Sequence, residues 1–158
     1  MVECGCCGIH AVPPPPVDPT DVVFVLEASK VIGSANFERM KVFLSKLVGK
    51  LDIAATRVGI VTYSSQVGSF FNLGDHSSVA PLQSAIMSLT YSGGSTNTAE
   101  ALKHVRTMLS AAGARANVPK VVATLIAGPS DEFQATKVLF NRSCIISTVY
   151  VLVLLTRE

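Results

Sequence analysis

Asp21-Val22-Val23-Phe24-Val25-Leu26 is a nearly continuous run of apolar and β-branched residues, the pattern of a strand buried on both faces of a parallel sheet. Two further runs share it, Arg57 to Tyr63 (RVGIVTY) and Lys120 to Ile126 (KVVATLI), and Cys144 to Leu155 (CIISTVYVLVLL) is a candidate fourth. Val67 to Phe71 follows Tyr63 closely enough to turn back antiparallel beside it as a short edge strand. Helical patterns separate the runs. Phe37, Met40, Leu44, Leu47, Val48 and Leu51 fall on one helix face, with Ser34 placed to cap its start, and Val79, Leu82, Ile86 and Leu89 make a second, shorter face. A third helix is expected from about Thr98 to Ala112. Leu102, Val105, Met108, Leu109 and Ala112 would point inward, Lys103, His104 and Arg106 outward, and Asn97 with Glu100 imitates a capping box.

Strands alternating with helices predict an α/β, doubly wound, mostly parallel sheet flanked by helices, with every strand-to-helix loop at the carboxyl edge. Ligands of such sheets bind at that edge. The loops concerned are Glu27 to Gly33, Gly93 to Thr98 and Ala127 to Asp131.

The rest of the chain narrows the function. With 158 residues there is room for one domain, and 49% apolar against 15% charged residues exclude a highly charged disordered chain. Thirteen basic and eleven acidic residues leave a net charge of +2, scattered along the sequence without a basic stripe, so no nucleic-acid partner is expected. The longest apolar run, Cys144 to Leu155, has twelve residues where a spanning helix needs about 20, so no membrane span is expected either. Residues 1–20 read as a Cys- and Pro-rich tail or linker and residues 21–158 as the domain. The start, Met1-Val2-Glu3-Cys4-Gly5-Cys6-Cys7, lacks the basic and apolar regions of a secretory signal. Cys4, Cys6 and Cys7 with His10 lack the separated ligand pairs of a structural zinc site, and Pro13 to Pro16 favour an extended spacer. Depending on compartment, the tail thiols would pair with each other, with Cys144 or with another chain.

From Asp21 to about Asp131 the sequence resembles the von Willebrand factor type A domain family, in the flavour of its extracellular-matrix members such as von Willebrand factor itself, matrilins and collagen VI. DVVFVLEASKVIG is similar to the family's first strand and Asp-x-Ser-x-Ser loop, FERMKVFLSKLVGKLDI to its first helix, and RVGIVTYSS to its second strand. SGGSTNTAEAL is similar to the loop that supplies a metal-binding threonine, and NVPKVVATLIAGPSD takes the place of the strand ending in Thr-Asp-Gly.

Many members of the family hold a magnesium ion at a metal-ion-dependent adhesion site. The matching positions here are Glu27 for the aspartate, Ser29 for the first serine, Val31 for the second, Thr96 for the threonine and Ala127 for the second aspartate. Magnesium demands near-octahedral oxygen ligation, and Val31 and Ala127 have no side-chain oxygen, so the resemblance implies a degenerate site without tight metal binding. Only Glu27, Ser29 and Thr96 could still approach an ion, with Asp131 too far along the loop. Without an ion, Ser29 and Thr96 would bond loop amides, Gly93-Gly94 would form a turn with positive φ, and Glu27 would cap the following helix.

Past Asp131 the resemblance fades. Asn141-Arg142-Ser143 is an N-x-S sequon, and the family's further strand and closing helix have no counterpart, which implies a truncated domain with an exposed sheet edge, marginal alone or completed by a neighbouring domain or chain. The function implied is that of a secreted, metal-independent adhesion module that binds collagen or another matrix protein, with no cofactor and no catalysis. Two other readings compete. A non-functional fragment of a collagen-like chain would explain the eroded site, while a nucleotide-binding α/β enzyme would need the G-x-G-x-x-G or Gly-Lys-Ser/Thr loop that the sequence lacks. His76, in a polar loop, and His104 belong to no catalytic set.

Overall fold

The computed structural model describes residues 18–126 and the backbone of residues 148–153. The chain runs β1 (Thr20–Glu27), α1 (Ser34–Val48), β2 (Thr56–Tyr63), β3 (Val67–Phe71), α2 (Val79–Met87), α3 (Thr98–Ser110), β4 (Lys120–Ile126) and β5 (Thr148–Val153). These strands form one sheet in the order β3-β2-β1-β4-β5. Every pairing is parallel except that of β2 with β3. The doubly wound sheet anticipated from the sequence is therefore present, with β1 at its centre and β1 starting one residue earlier than the apolar run suggests.

Alternation along β1 distributes its side chains over two cores. Phe24 and Leu26 join Phe37, Met40, Leu44, Ile60, Leu82 and Ile86 beneath α1 and α2. Val23 and Val25 join Val61, Tyr63, Val105, Met108, Leu109 and Val122 beneath α3. This double burial is why β1 reads as a continuous apolar run rather than an alternating one. Gly59 of β2 lies beneath α3 where a Cβ would meet the Met108 sulfur at 2.9 Å, so a larger residue there would displace the Met108 side chain from the core.

Lys41 is the exception inside this core. Its Nζ donates to the carbonyls of Met87 and Leu89 at 3.1 and 3.0 Å and pairs with Glu38 at 2.9 Å, which satisfies the last turn of α2 and fastens α1 to it.

Three local expectations need correction. Ser34 does not cap α1: Gly33, at φ 72, occupies the N-cap position, no side chain caps the helix, and Ser34 is its first residue. Helix α3 stops at Ser110 and leaves Ala112 exposed rather than inward. His104 is half-buried, because its ring meets Phe70 of β3 edge-on at a centroid distance of 4.5 Å. Likewise His76 packs edge-on against Phe71 at 4.9 Å. By contrast the Asn97 side chain accepts the Glu100 N–H at 3.1 Å, as its spacing implied.

Two features of the sheet carry later arguments. Strand β3 is bulged: the register moves from Val61 opposite Phe70 to Tyr63 opposite Val67, and the Thr62 hydroxyl donates to the Ser69 carbonyl at 2.9 Å. The second feature is Thr124 of β4, whose buried hydroxyl has no hydrogen-bond partner among the described residues. A buried hydroxyl that makes no bond costs roughly 1–3 kcal/mol, so Thr124→Val, which keeps the shape, should stabilise the domain by about 1 kcal/mol. A urea titration of both proteins at equal m-value measures it; a lower midpoint for the variant would show that the hydroxyl is satisfied in solution.

Candidate functional site

The chain passes from β1 to β2 on one side and later to β4 on the other, so the loops at the carboxyl end of β1 lie at the switch point of the sheet. Glu27 ends β1 there and is fully buried. Its Oε1 accepts two hydroxyl hydrogen bonds, from Ser29 at 2.5 Å and from Thr96 at 2.9 Å. Ser29 Oγ in turn accepts the Val31 N–H at 3.2 Å. One carboxylate oxygen is the point on which the two loops converge.

Backbone bonds hold the loops in that position. Gly93 N–H donates to the Ala28 carbonyl at 2.8 Å and Lys30 N–H to the Gly94 carbonyl at 2.9 Å, a reciprocal pair joining residues 28–30 to residues 93–94. Asn97 N–H reaches the Ser64 carbonyl at 2.8 Å and Ala28 N–H that of Tyr63 at 2.6 Å, which brings the end of β2 into the same assembly. Gly94 has φ 89, a conformation that favours glycine, and a Cβ there would displace the Ser65 hydroxyl, 2.5 Å away, from its bonds to Ser95.

Hydroxyl groups complete the framework. Tyr91 donates to the Ser29 carbonyl at 3.1 Å, Ser92 to Ser64 Oγ at 3.0 Å and Ser95 to Ser65 Oγ at 3.1 Å. Beneath them the Tyr63 phenol accepts the Thr98 hydroxyl at 3.1 Å. Burial pushes the Tyr63 phenol far above its usual range; the Thr98 bond opposes this and the nearby Glu27 charge reinforces it. Tyr63 is therefore a neutral phenol at any ordinary pH.

The structure thus brings together Glu27, Ser29 and Thr96, the three oxygen-bearing positions singled out in the sequence. Ser29 does accept a loop amide, as expected, but both hydroxyls also give their protons to Glu27. Val31 stands beside them at 57% exposure, an apolar side chain on the rim. Ala127, Asp131, Asn141, the four cysteines, His10 and Pro13 to Pro16 lie outside the described residues. Among the described residues no group of three or more His, Cys, Asp or Glu could hold a metal ion, and no helix is long and apolar enough to cross a membrane. Sequence reasoning did not anticipate Tyr91, Ser64, Ser65, Ser92 or Ser95 as loop fasteners. The one signal available was that Ser64-Ser65 follows β2 directly and must emerge at the same sheet edge.

A doubly wound sheet with its polar loops gathered at the carboxyl end of the central strand defines a Rossmann-like α/β binding domain. The particular family is shown by comparison: the profile of the von Willebrand factor type A domain matches residues 21–149, and the chain belongs to that family. The match runs past Asp131, where the resemblance read from the sequence fades. Matrilin-1 of Gallus gallus is 33% identical over 125 residues, covering 73% of this chain and 25% of that protein. Collagen alpha-4(VI) chain of Mus musculus is 36% identical over 123 residues, 73% of this chain and 5% of that one. Its relatives are thus matrix proteins, of whose length this chain spans a quarter or less. Among solved structures, proximal thread matrix protein 1 from the mussel byssus superposes with a TM-score of 0.69 at 26% identity, covering 86% of this chain and 35% of that one. In that protein the metal-ion-dependent adhesion site, its MIDAS motif, is occupied by zinc.

Proposed function

We propose that the chain is an extracellular, metal-independent binding module without catalytic activity, which contacts collagen or another matrix protein through the loops at the carboxyl edge of its sheet. The matrilin and collagen VI relatives support the setting. The observation that carries metal independence is the position of Glu27. Its longer side chain delivers a carboxylate oxygen to the point where the Ser29 and Thr96 hydroxyls meet. That oxygen does there what an ion does in a metal-holding relative: it gathers the two hydroxyls and fixes the loops. With Val31 contributing no oxygen, the donor set does not suit magnesium, which requires six oxygens in near-octahedral order. Rigid loops presenting hydroxyls and an exposed Val31 favour a protein partner, because orientation is fixed before binding and little ordering cost remains.

Binding of the chain to immobilised collagens, measured in EDTA and again in excess Mg²⁺, tests the reading. Equal affinity in both is expected, and unfolding temperatures should coincide too, since a ligand held only by the native state would raise its stability. The combined substitution Glu27→Asp, Val31→Ser and Ala127→Asp should create Mg²⁺ binding detectable by calorimetry. Metal-dependent adhesion by the unaltered chain, or a triple variant blind to magnesium, would overturn the assignment of the site.

A further inference from the structure

Charges that look scattered along the sequence line up once α1 is wound. Arg39, Phe43, Lys46 and Lys50 are spaced by 4, 3 and 4 residues and are all exposed. At 3.6 residues per turn they fall within about 60° of one another, along about 16 Å of helix. Lys50 lies just past α1, but Gly49 stays in the right-handed helical region and Lys50 N–H donates to the Leu47 carbonyl, so the line continues through it. Phe43 is 48% exposed in the middle of the row, with Val42 beside it. The one acid of α1, Glu38, is engaged by Lys41, and the Asp52 carboxylate accepts the Ala54 N–H. Lys46 and Lys50 form no ion pair among the described residues, and Arg39 bonds only the Asn36 amide oxygen.

We propose that this face of α1 binds a linear sulfated polysaccharide. The argument is charge complementarity in a particular shape. A row of cations separated by an exposed aromatic ring fits a polymer that alternates anionic groups with the apolar faces of sugar rings. Three cations are too few for a nucleic-acid site, where roughly 6–10 phosphates are commonly neutralised. An acidic protein patch would not need the cations in a straight row. The extracellular setting, where such polymers occur, is taken from the function proposed above, whereas the collagen contact proposed there uses a different surface.

Heparin immobilised on a sensor surface is the probe, with the full chain as analyte over a series of salt concentrations. Counterion release predicts a log–log salt slope of about −3 for three cations, falling to about −1 in Lys46→Gln/Lys50→Gln. Affinity at low salt should drop at least tenfold in that variant. Phe43→Ser should weaken binding with the slope unchanged. Lys103→Gln/Arg106→Gln removes the same charge from the outer face of α3 and should leave heparin binding intact. All these side chains are exposed, so unfolding temperatures should agree and fold loss can be set aside. The proposal is overturned if the α3 variant loses as much as the α1 variant, if hyaluronan, which has carboxylates but no sulfates, binds as tightly, or if duplex DNA displaces heparin at equal charge concentration. Collagen binding should survive Lys46→Gln/Lys50→Gln, so failure of one function is distinguishable from failure of the other.

Discussion

Asp21→Ala should cost about 3–5 kcal/mol of stability, the usual result of removing one partner from a buried ion pair. Asp21 is fully buried at the start of β1. Its Oδ2 accepts the Arg115 backbone N–H at 2.7 Å and its Oδ1 accepts Arg115 Nε at 2.8 Å. The same guanidinium donates through Nη2 to the Thr20 and Ala55 carbonyls at 2.7 and 2.9 Å. Lys120 Nζ stands 3.9 Å from Asp21 Oδ2 and donates to the Arg115 carbonyl at 2.6 Å. The carboxylate thus ties the first residues of β1 and β4, the approach to β2 and the connection after α3 at the amino edge of the sheet. Without it, the largely buried Arg115 guanidinium would lose the carboxylate it is paired with. Because a domain is stable by only about 5–15 kcal/mol, the loss would be a third or more of the total. Chemical denaturation should show it directly, with Asp21→Asn intermediate because its amide oxygen can still accept one bond. A change below 1 kcal/mol for Asp21→Ala would mean that the cluster relaxes or hydrates.

Phe37→Ala should be of similar size, about 3–5 kcal/mol, through the cavity it leaves. The ring is fully buried beneath α1 in the larger of the two cores. It packs against Tyr91 at a centroid distance of 5.9 Å, and Tyr91 in turn holds the Ser29 carbonyl. Removing Phe37 therefore unsettles the carboxyl edge of the sheet as well as the core. Phe37→Leu, which fills most of the volume, should cost much less and keep the proposed collagen binding, and calorimetric unfolding with parallel assays of that binding compares the two. Adhesion by Phe37→Ala that matches the parent under conditions where both are folded would mean that Tyr91 does not depend on the ring.

The sheet and the site differed in how far the sequence revealed them, and the reason is the range of the interactions involved. Apolar runs such as Asp21 to Leu26 and the spacing of Phe37, Met40 and Leu44 are local patterns, and local periodicity locates a strand or a helix face. Glu27, Ser29 and Thr96 were found together because two family-like segments each marked one loop. No pattern announces that Asp21 meets Arg115, 94 residues away in sequence. Lys41 is equally silent: it lies beside the apolar face of α1, and only the carbonyls of Met87 and Leu89 explain why it is buried. Ser34 fitted the residue preference for an N-cap, but Gly33 reached the position first by adopting a positive φ. The row from Arg39 to Lys50 was hidden because one sequence axis separates what a helix aligns.

The bulge in β3 bears on how such a domain coexists with others of its kind. An edge strand is a ready template for another chain, and a straight β3 would offer an unbroken rank of amides and carbonyls to any passing strand. Inserting a residue between Val67 and Phe70 interrupts that rank. The side of the sheet away from β5 is thereby made a poor seed for fibrous self-association, leaving contacts with neighbours to the loops and helix faces.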